Sequence, residues 1–434
     1  MLIATNNLEI SENGIGFLQA NPELKLDNST LVNKDINLIG AIVPQTGSQS
    51  SIGIPVATAI KKTEKEVNER YKSMNSCSRV KLLIDDSKTN PEETLAVIKR
   101  LDTSGVKVIV GPATSTAVAS VKDYANDNNI TLLSYASTSP VLSIEGDNLF
   151  RLVPDDDTQG KVIAEKMIND GVKVIVPFWR GDMYGNALAN TTKHYFEKLG
   201  VKVDDGVNYM PHTGKFASSL HRINFIMWNQ ELKKLNEMVT QAISKNGPDS
   251  VGVYAISFDE ITPILIQAQL FDELGKVRWY GSDSIAENHH VTKNIDSAVF
   301  ASQTHFANPL FSISSESKKS SEFEKELLEL YHGSSITYPA LAYDSFWIAA
   351  ISLYEYADAI NEGRYTENVT IFNQIHANIT DSYEGVTGTI DINAAGDRTS
   401  ENYDFWYITL DNSTQHYEWH EENHMNLYTH SDSH

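Results

Sequence analysis

Short apolar runs alternate with helix-length amphipathic stretches from Asp35 onward, and the alternation restarts after Pro154. Asn37–Val43 leads through the turn-rich stretch Pro44–Gly53 into a helical pattern over Pro55–Tyr71, with Pro55 expected near the first turn. Val80–Ile84, a helix from Pro91 through Leu101, Val106–Val110, a helix over Thr116–Asn128 and Ile130–Leu133 follow. A chain written this way buries its runs as a mainly parallel sheet with helices on both faces. The second series reads as helix Thr158–Asp170, strand Val172–Phe178, helix Tyr184–Leu199, strand Val201–Met210, helix Phe216–Lys245, strand Ser250–Ile256, helix Ile261–Leu274 and strand Val277–Gly281. The expected fold class is therefore α/β, with two doubly wound parallel-sheet lobes, and 434 residues suffice for two cores. Beyond them come helices over Ser321–Tyr331 and Ala340–Ile360, then a hairpin-like region of Gly388–Ile392, Asn393–Arg398 and Tyr403–Leu410.

Two loops suggest where chemistry sits. Val110–Thr116 and Tyr135–Pro140 each follow an apolar run and place small hydroxyl residues just past its end. Ligands bind at strand ends in open α/β sheets, and the free N–H groups opening a helix suit a carboxylate. The loops hold no nucleophile–base pair, so they read as a cradle for a small carboxylate. Helix capping is the ordinary alternative for Ser115 and Thr138.

Composition narrows the partners. With 35 basic against 57 acidic side chains the net charge is −22, which opposes nucleic acid and anionic membranes. The single cysteine, Cys77, excludes an internal disulfide and a cysteine-based metal cluster. No run approaches a membrane span, and Met1–Ile10 lacks the basic and apolar regions of an export signal. Residues 1–34 are polar and patternless and read as a leader or linker. His416, His420, His424, His430 and His434 punctuate a polar tail over 412–434; spaced by four they would share a helix face able to hold a metal, but a solvated tail is the plainer reading. Asp85–Asp86 resembles a catalytic carboxylate pair, yet its place ahead of Pro91 favours a capping or turn role. Arg180–Gly181–Asp182 spells an adhesion tripeptide that recurs by chance, and Gly111 lacks the spaced glycines of a dinucleotide fingerprint.

In order along the chain, Ile39–Gly47, Asp85–Asp86 with Asn90–Pro91, the two hydroxyl loops, Tyr184–Gly185, Gly281–Ser282–Asp283, Tyr343–Asp344, and Gly388–Asp391 with Gly396–Asp397 resemble the type I periplasmic binding proteins. The likeness is to their leucine/isoleucine/valine-binding branch, which serves ABC transporters, and it covers about residues 35–410. It implies an extracytoplasmic, monomeric receptor that hands a small amino acid, branched-chain ones included, to a permease, with no enzyme activity, cofactor or metal. A sensory domain feeding a signalling partner, and an α/β enzyme acting on a small carboxylate, are the alternatives. It also implies three hinge crossovers, near Val153–Pro154, Phe306–Pro309 and Gly388–Arg398. The first lobe would comprise 35–153 and 307–388, the second 154–306, and 389–411 the last crossover plus a second-lobe strand.

The same resemblance implies site roles. Ser115 would hold the ligand carboxylate. Ala136 would contact the head group through its backbone, beside Ser137, and Thr138 would touch both carboxylate and ammonium. Asp283 would pair with the α-ammonium, and Tyr184 and Phe258 would be the aromatics of the second lobe. Ile52 would fall near the ligand side chain. Phe258 stands where branched-chain receptors have tyrosine, Asp283 where they have glutamate, and Ile52 near a position often aromatic.

Overall fold

The computed structural model describes residues 36–211, 228–313, 321–323, 325–326, 335–400 and 402–422. Strands β1 (Ile36–Val43), β2 (Arg79–Asp86), β3 (Val108–Val110), β4 (Thr131–Ser134) and β5 (Leu149–Pro154) alternate with helices α1 (Ser50–Ser73), α2 (Pro91–Thr103) and α3 (Ser115–Asp127). The second series is α4 (Asp156–Asn169), β6 (Val174–Arg180), α5 (Met183–Lys198), β7 (Lys202–Val203), β8 (Val207–Tyr209), α6 (Asn229–Asn246), β9 (Val251–Ile256), α7 (Ile261–Ala268) and β10 (Arg278–Tyr280). Then follow α8 (His289–Lys293), α9 (Ile295–Gln303), β11 (Asn308–Phe311), α10 (Thr337–Asn361), α11 (Val369–Ser382), β12 (Glu384–Gly385), β13 (Gly388–Thr389), β14 (Asp397–Arg398), β15 (Tyr403–Asp411) and β16 (His416–Glu422).

Two parallel sheets carry the fold. The first runs β14-β5-β4-β3-β1-β2 and the second β10-β9-β6-β7, with β8 also on β6. Strands covered on both faces have no use for polar alternation, which is why β3, β4, β5 and β9 are buried at every residue. In each sheet the strand order reverses once, between β1 and β3 in the first and between β6 and β9 in the second. Those reversals open a crevice at the carboxyl ends of the strands, where open α/β sheets take ligands.

Local chemistry sets the helix starts. Asn90 caps α2 by accepting the Glu93 N–H at 2.8 Å, and Pro91 follows at the first helical position. Asp86 plays a turn role, accepting the N–H groups of Thr46 at 3.2 Å and Lys88 at 2.8 Å, while Asp85 pairs with Arg100 at 2.7 Å. The helix expected from Pro55 begins five residues earlier, at Ser50, so Pro55 lies inside it. The strand expected over Val201–Met210 divides into β7 and β8, because Gly206 takes φ +67° at an intervening turn packed on Pro177. The expected helices Phe216–Lys245 and Ser321–Tyr331 fall partly outside the described residues.

The C-terminal region departs most from expectation. β14 pairs with β5, so residues 397–398 still belong to the first sheet, and the last passage between lobes follows them. Arg151 on β5 donates to the Asp397 carboxylate at 2.5 Å, with both side chains buried. Asp344 on α10 accepts the N–H groups of Val386 at 3.0 Å and Thr387 at 2.9 Å, fixing the chain before β13. Residues 416–422, expected as part of an unstructured polar tail, instead form β16, which pairs with β15, itself paired antiparallel with β11. Tyr417 and Trp419 turn toward the second-lobe core while His416, Glu418 and His420 face outward. The histidine spacing thus marks one face of a strand, not of a helix. His424, His430 and His434 lie outside the described residues, and among the described residues no cluster of His, Cys, Asp or Glu is arranged to hold a metal.

Candidate functional site

The crevice between the lobes collects the residues that follow the strand ends. From the first lobe come Gln49, Ile52, Ala113, Thr114, Ser115 and Ala136, together with Tyr338 of α10; from the second come Tyr184, Phe258, Asp283 and Ser284. They surround a narrow crevice, part of it open to solvent.

At the first-lobe wall, Thr114 caps α3 by accepting the Ala117 N–H at 3.2 Å, which makes Ser115 the first helical residue. The opening N–H groups of α3 therefore lack helical partners and carry the positive end of the helix dipole. Ser115 Oγ accepts the Ser139 N–H at 3.2 Å and the Ser137 hydroxyl at the same distance. Ser134 Oγ in turn donates to the Pro112 carbonyl at 2.6 Å and accepts the Ser137 N–H at 3.1 Å. The two hydroxyl loops are one hydrogen-bonded unit, with capping by Thr114 and site placement by Ser115.

The opposite wall is acidic and aromatic. Asp283, just past β10, accepts the Tyr184 hydroxyl at 2.6 Å and the Tyr338 hydroxyl at 2.9 Å, and its N–H donates to Gln159 at 3.0 Å. Tyr338 packs in the first-lobe core, so its bond to Asp283 crosses between lobes. Burial pushes the Asp283 carboxyl above the ordinary carboxylate range, opposed by the hydrogen bonds from Tyr184 and Tyr338. Asp156, buried close by, is pushed well above that range by burial and then by the charge of Asp283. Phe258 stacks on Tyr184 with centroids 5.3 Å apart, and the Arg180 guanidinium lies 3.4 Å from the Phe258 ring centroid. Arg180 is held by Glu260 at 2.6 Å and Asp182 at 2.7 Å, and Asp182 caps α5. The adhesion-like tripeptide is thus structural, with Arg180 buried and Gly181 and Asp182 half-buried.

Six of the eight sequence-derived site residues, Ile52, Ser115, Ala136, Tyr184, Phe258 and Asp283, line the crevice. Ser137 and Thr138 stand behind it: Ser137 supports Ser115, and the Thr138 carbonyl accepts the Asp156 N–H at 2.8 Å. Gln49, Ala113, Thr114, Ser284 and Tyr338 also line the crevice and are not in that set. Ser284 could have been read from its adjacency to Asp283, whereas nothing local to Tyr338 marks it. Among the described residues, the lining contains no histidine, cysteine, lysine or arginine.

Comparison with known proteins agrees with this architecture. Residues 55–411 match the model of the receptor family ligand binding region. An uncharacterized protein of Methanocaldococcus jannaschii is 26% identical over 387 residues, covering 86% of this chain and 87% of that one. The Leu/Ile/Val-binding protein BraC3 of Rhizobium johnstonii is 26% identical over 198 residues, 44% of this chain and 52% of that protein. Among solved structures, the leucine binding protein LivK of Thermotoga maritima superposes with a TM-score of 0.68 at 20% identity, covering 89% of this chain and 97% of its own. The chain belongs to the receptor family ligand binding region and has the fold of the type I periplasmic binding proteins, similar to their leucine-binding members. Among the described residues, no helix is long and apolar enough to cross a membrane.

Proposed function

We propose that this chain is an extracytoplasmic, monomeric solute-binding protein that captures a small α-amino acid between its lobes and delivers it to an ABC permease. The observation that carries the reading is the pairing, across one crevice, of the α3 N-terminus at Ser115 with the buried carboxyl of Asp283. A zwitterion presents a carboxylate to the first and an ammonium to the second. An ammonium leaves water at low cost only when a partner replaces its hydration, and Asp283 supplies that partner. The absence of histidine, cysteine and lysine among the described residues of the lining supports a binding role over catalysis. Delivery to a permease is supported by family membership and by the division of contacts between two lobes, which suits capture and release by hinge motion.

Titration calorimetry of the whole chain with the twenty common amino acids and with their decarboxylated and deaminated analogues tests this. Saturable binding of at least one amino acid, lost with both analogues, is expected. Binding of a simple carboxylate with no dependence on an amino group would exclude the reading.

A further inference from the structure

Gln49 occupies the turn after β1 and precedes α1, at the first lobe's strand reversal. Its backbone is fully engaged. The N–H donates to Thr89 Oγ1 at 3.2 Å, and the carbonyl accepts the N–H groups of Ile52 at 3.2 Å and Gly53 at 2.9 Å. The side chain makes no capping bond to the helix it precedes. The residue is only 4% exposed, it lines the crevice, and its carbonyl oxygen Oε1 has no hydrogen-bond partner among the described residues.

A buried acceptor left unmatched is costly, so such groups ordinarily find a partner in protein, water or ligand. Ile52 and Ala113, also in the lining, carry no side-chain group that could pair with it. A branched aliphatic side chain entering here would keep the carboxamide oxygen dehydrated and unpaired. A ligand side chain with a hydroxyl or amide would satisfy it, because Oε1 can accept from the O–H of the one or the N–H of the other. Sites built around a hydrogen bond discriminate strongly against analogues that lack the group, far more than apolar pockets discriminate by size.

We infer that Gln49 sets specificity in this crevice, and that the ligand is an amino acid with a hydroxyl or carboxamide side chain in preference to a branched aliphatic one. The inference rests on the amino-acid reading of the site. It separates this chain from the aliphatic ligands named for BraC3, whereas threonine is among those named for two other relatives.

Calorimetry on the full chain with serine, threonine, asparagine and glutamine against leucine, isoleucine and valine tests it, using the native protein, Gln49→Leu and Gln49→Met. Thermal melts check that both variants fold. The tightest polar ligand should bind the native protein at least about tenfold better than the tightest aliphatic one. Either substitution should remove that advantage by weakening the tightest polar ligand at least about tenfold relative to the aliphatic ones. Tighter aliphatic binding by the native protein, or an unchanged ranking in folded variants, would overturn the inference while leaving the amino-acid reading intact. Failure of every amino acid to bind would overturn both.

Discussion

Asp259, carried on the second lobe just past β9, reaches across the crevice to Ser51 in the first turn of α1. Its carboxylate accepts the Ser51 hydroxyl at 2.5 Å and the Ser51 N–H at 3.2 Å, while its own N–H donates to the Ser48 carbonyl at 2.9 Å. Helix α1 has no side-chain cap of its own, so the opposite lobe provides the acceptor its first turn needs. The contact spans the two lobes, so the hinge opening proposed above would break it. Asn288 braces the same carboxylate at 2.9 Å.

Asp259→Ala should therefore shift the molecule toward an open form. Loss of a charge-assisted bond of about 1.5–3 kcal/mol predicts an affinity for the amino acid weakened by roughly tenfold or more. Small-angle scattering should show a larger radius of gyration for the ligand-free variant than for the native protein. Identical radii would mean that the contact follows closure without favouring it.

Asp283→Ala should weaken binding by roughly 10–150-fold, the range expected for one charge-assisted hydrogen bond. Asp283→Asn retains an acceptor for a tyrosine hydroxyl but not the charge, so calorimetry should find it folded and similarly impaired. Full affinity in the asparagine variant would assign the ammonium to another partner.

Binding should fall in mild acid. Burial raises the Asp283 pKa in the ligand-free protein, and pairing with an ammonium requires the ionised form. As pH drops through that raised value, above the ordinary carboxylate pKa of about 3.9, affinity should decline by up to about one log unit per pH unit. Competition binding across pH checks the slope, which should flatten in Asp283→Asn.

Asp156 predicts an opposite effect on stability. Its folded pKa is raised well above the ordinary value, so its contribution is fullest below the unfolded pKa and is lost as pH rises through the folded one. Gln159 Nε2 donates to Asp156 Oδ1 at 3.2 Å, a bond that the asparagine carbonyl preserves. Asp156→Asn should therefore raise the melting temperature of the ligand-free protein at pH 7, with the gain shrinking toward pH 4. Calorimetric melts at both values decide it, and a lower melting temperature at pH 7 would show that the ionised carboxylate is stabilising.

Much of this site was legible because parallel-sheet folds place ligands after strand ends, and strand ends are visible as apolar runs halted by small residues. Ser115 stands out in that way, while Ala136 and Asp283 are singled out by the family resemblance; all three line the crevice. Some motif residues proved structural: Asp397 neutralises the buried Arg151, and Asp344 ties down the segment before β13. Tyr338 could not be read locally, since its partner lies 55 positions away across the crevice. Gln49 was passed over because a glutamine in a turn is ordinarily solvated, and only the folded chain buries it. β16 was missed for a different reason: histidines four apart fit a helix face, but they also fit one face of a strand. The alternate Tyr417 and Trp419 carried the period of two that distinguishes the strand.

Native mass spectrometry of the protein purified from its own host tests the central claim most directly. The species released from the crevice on collisional activation should have the mass of an α-amino acid, and it should be absent from the Asp283→Ala variant prepared in parallel. A retained small molecule that lacks an amino group, or the same amino acid held equally by the variant, would contradict the assignment of Asp283 and Ser115 as the two ends of a zwitterion site.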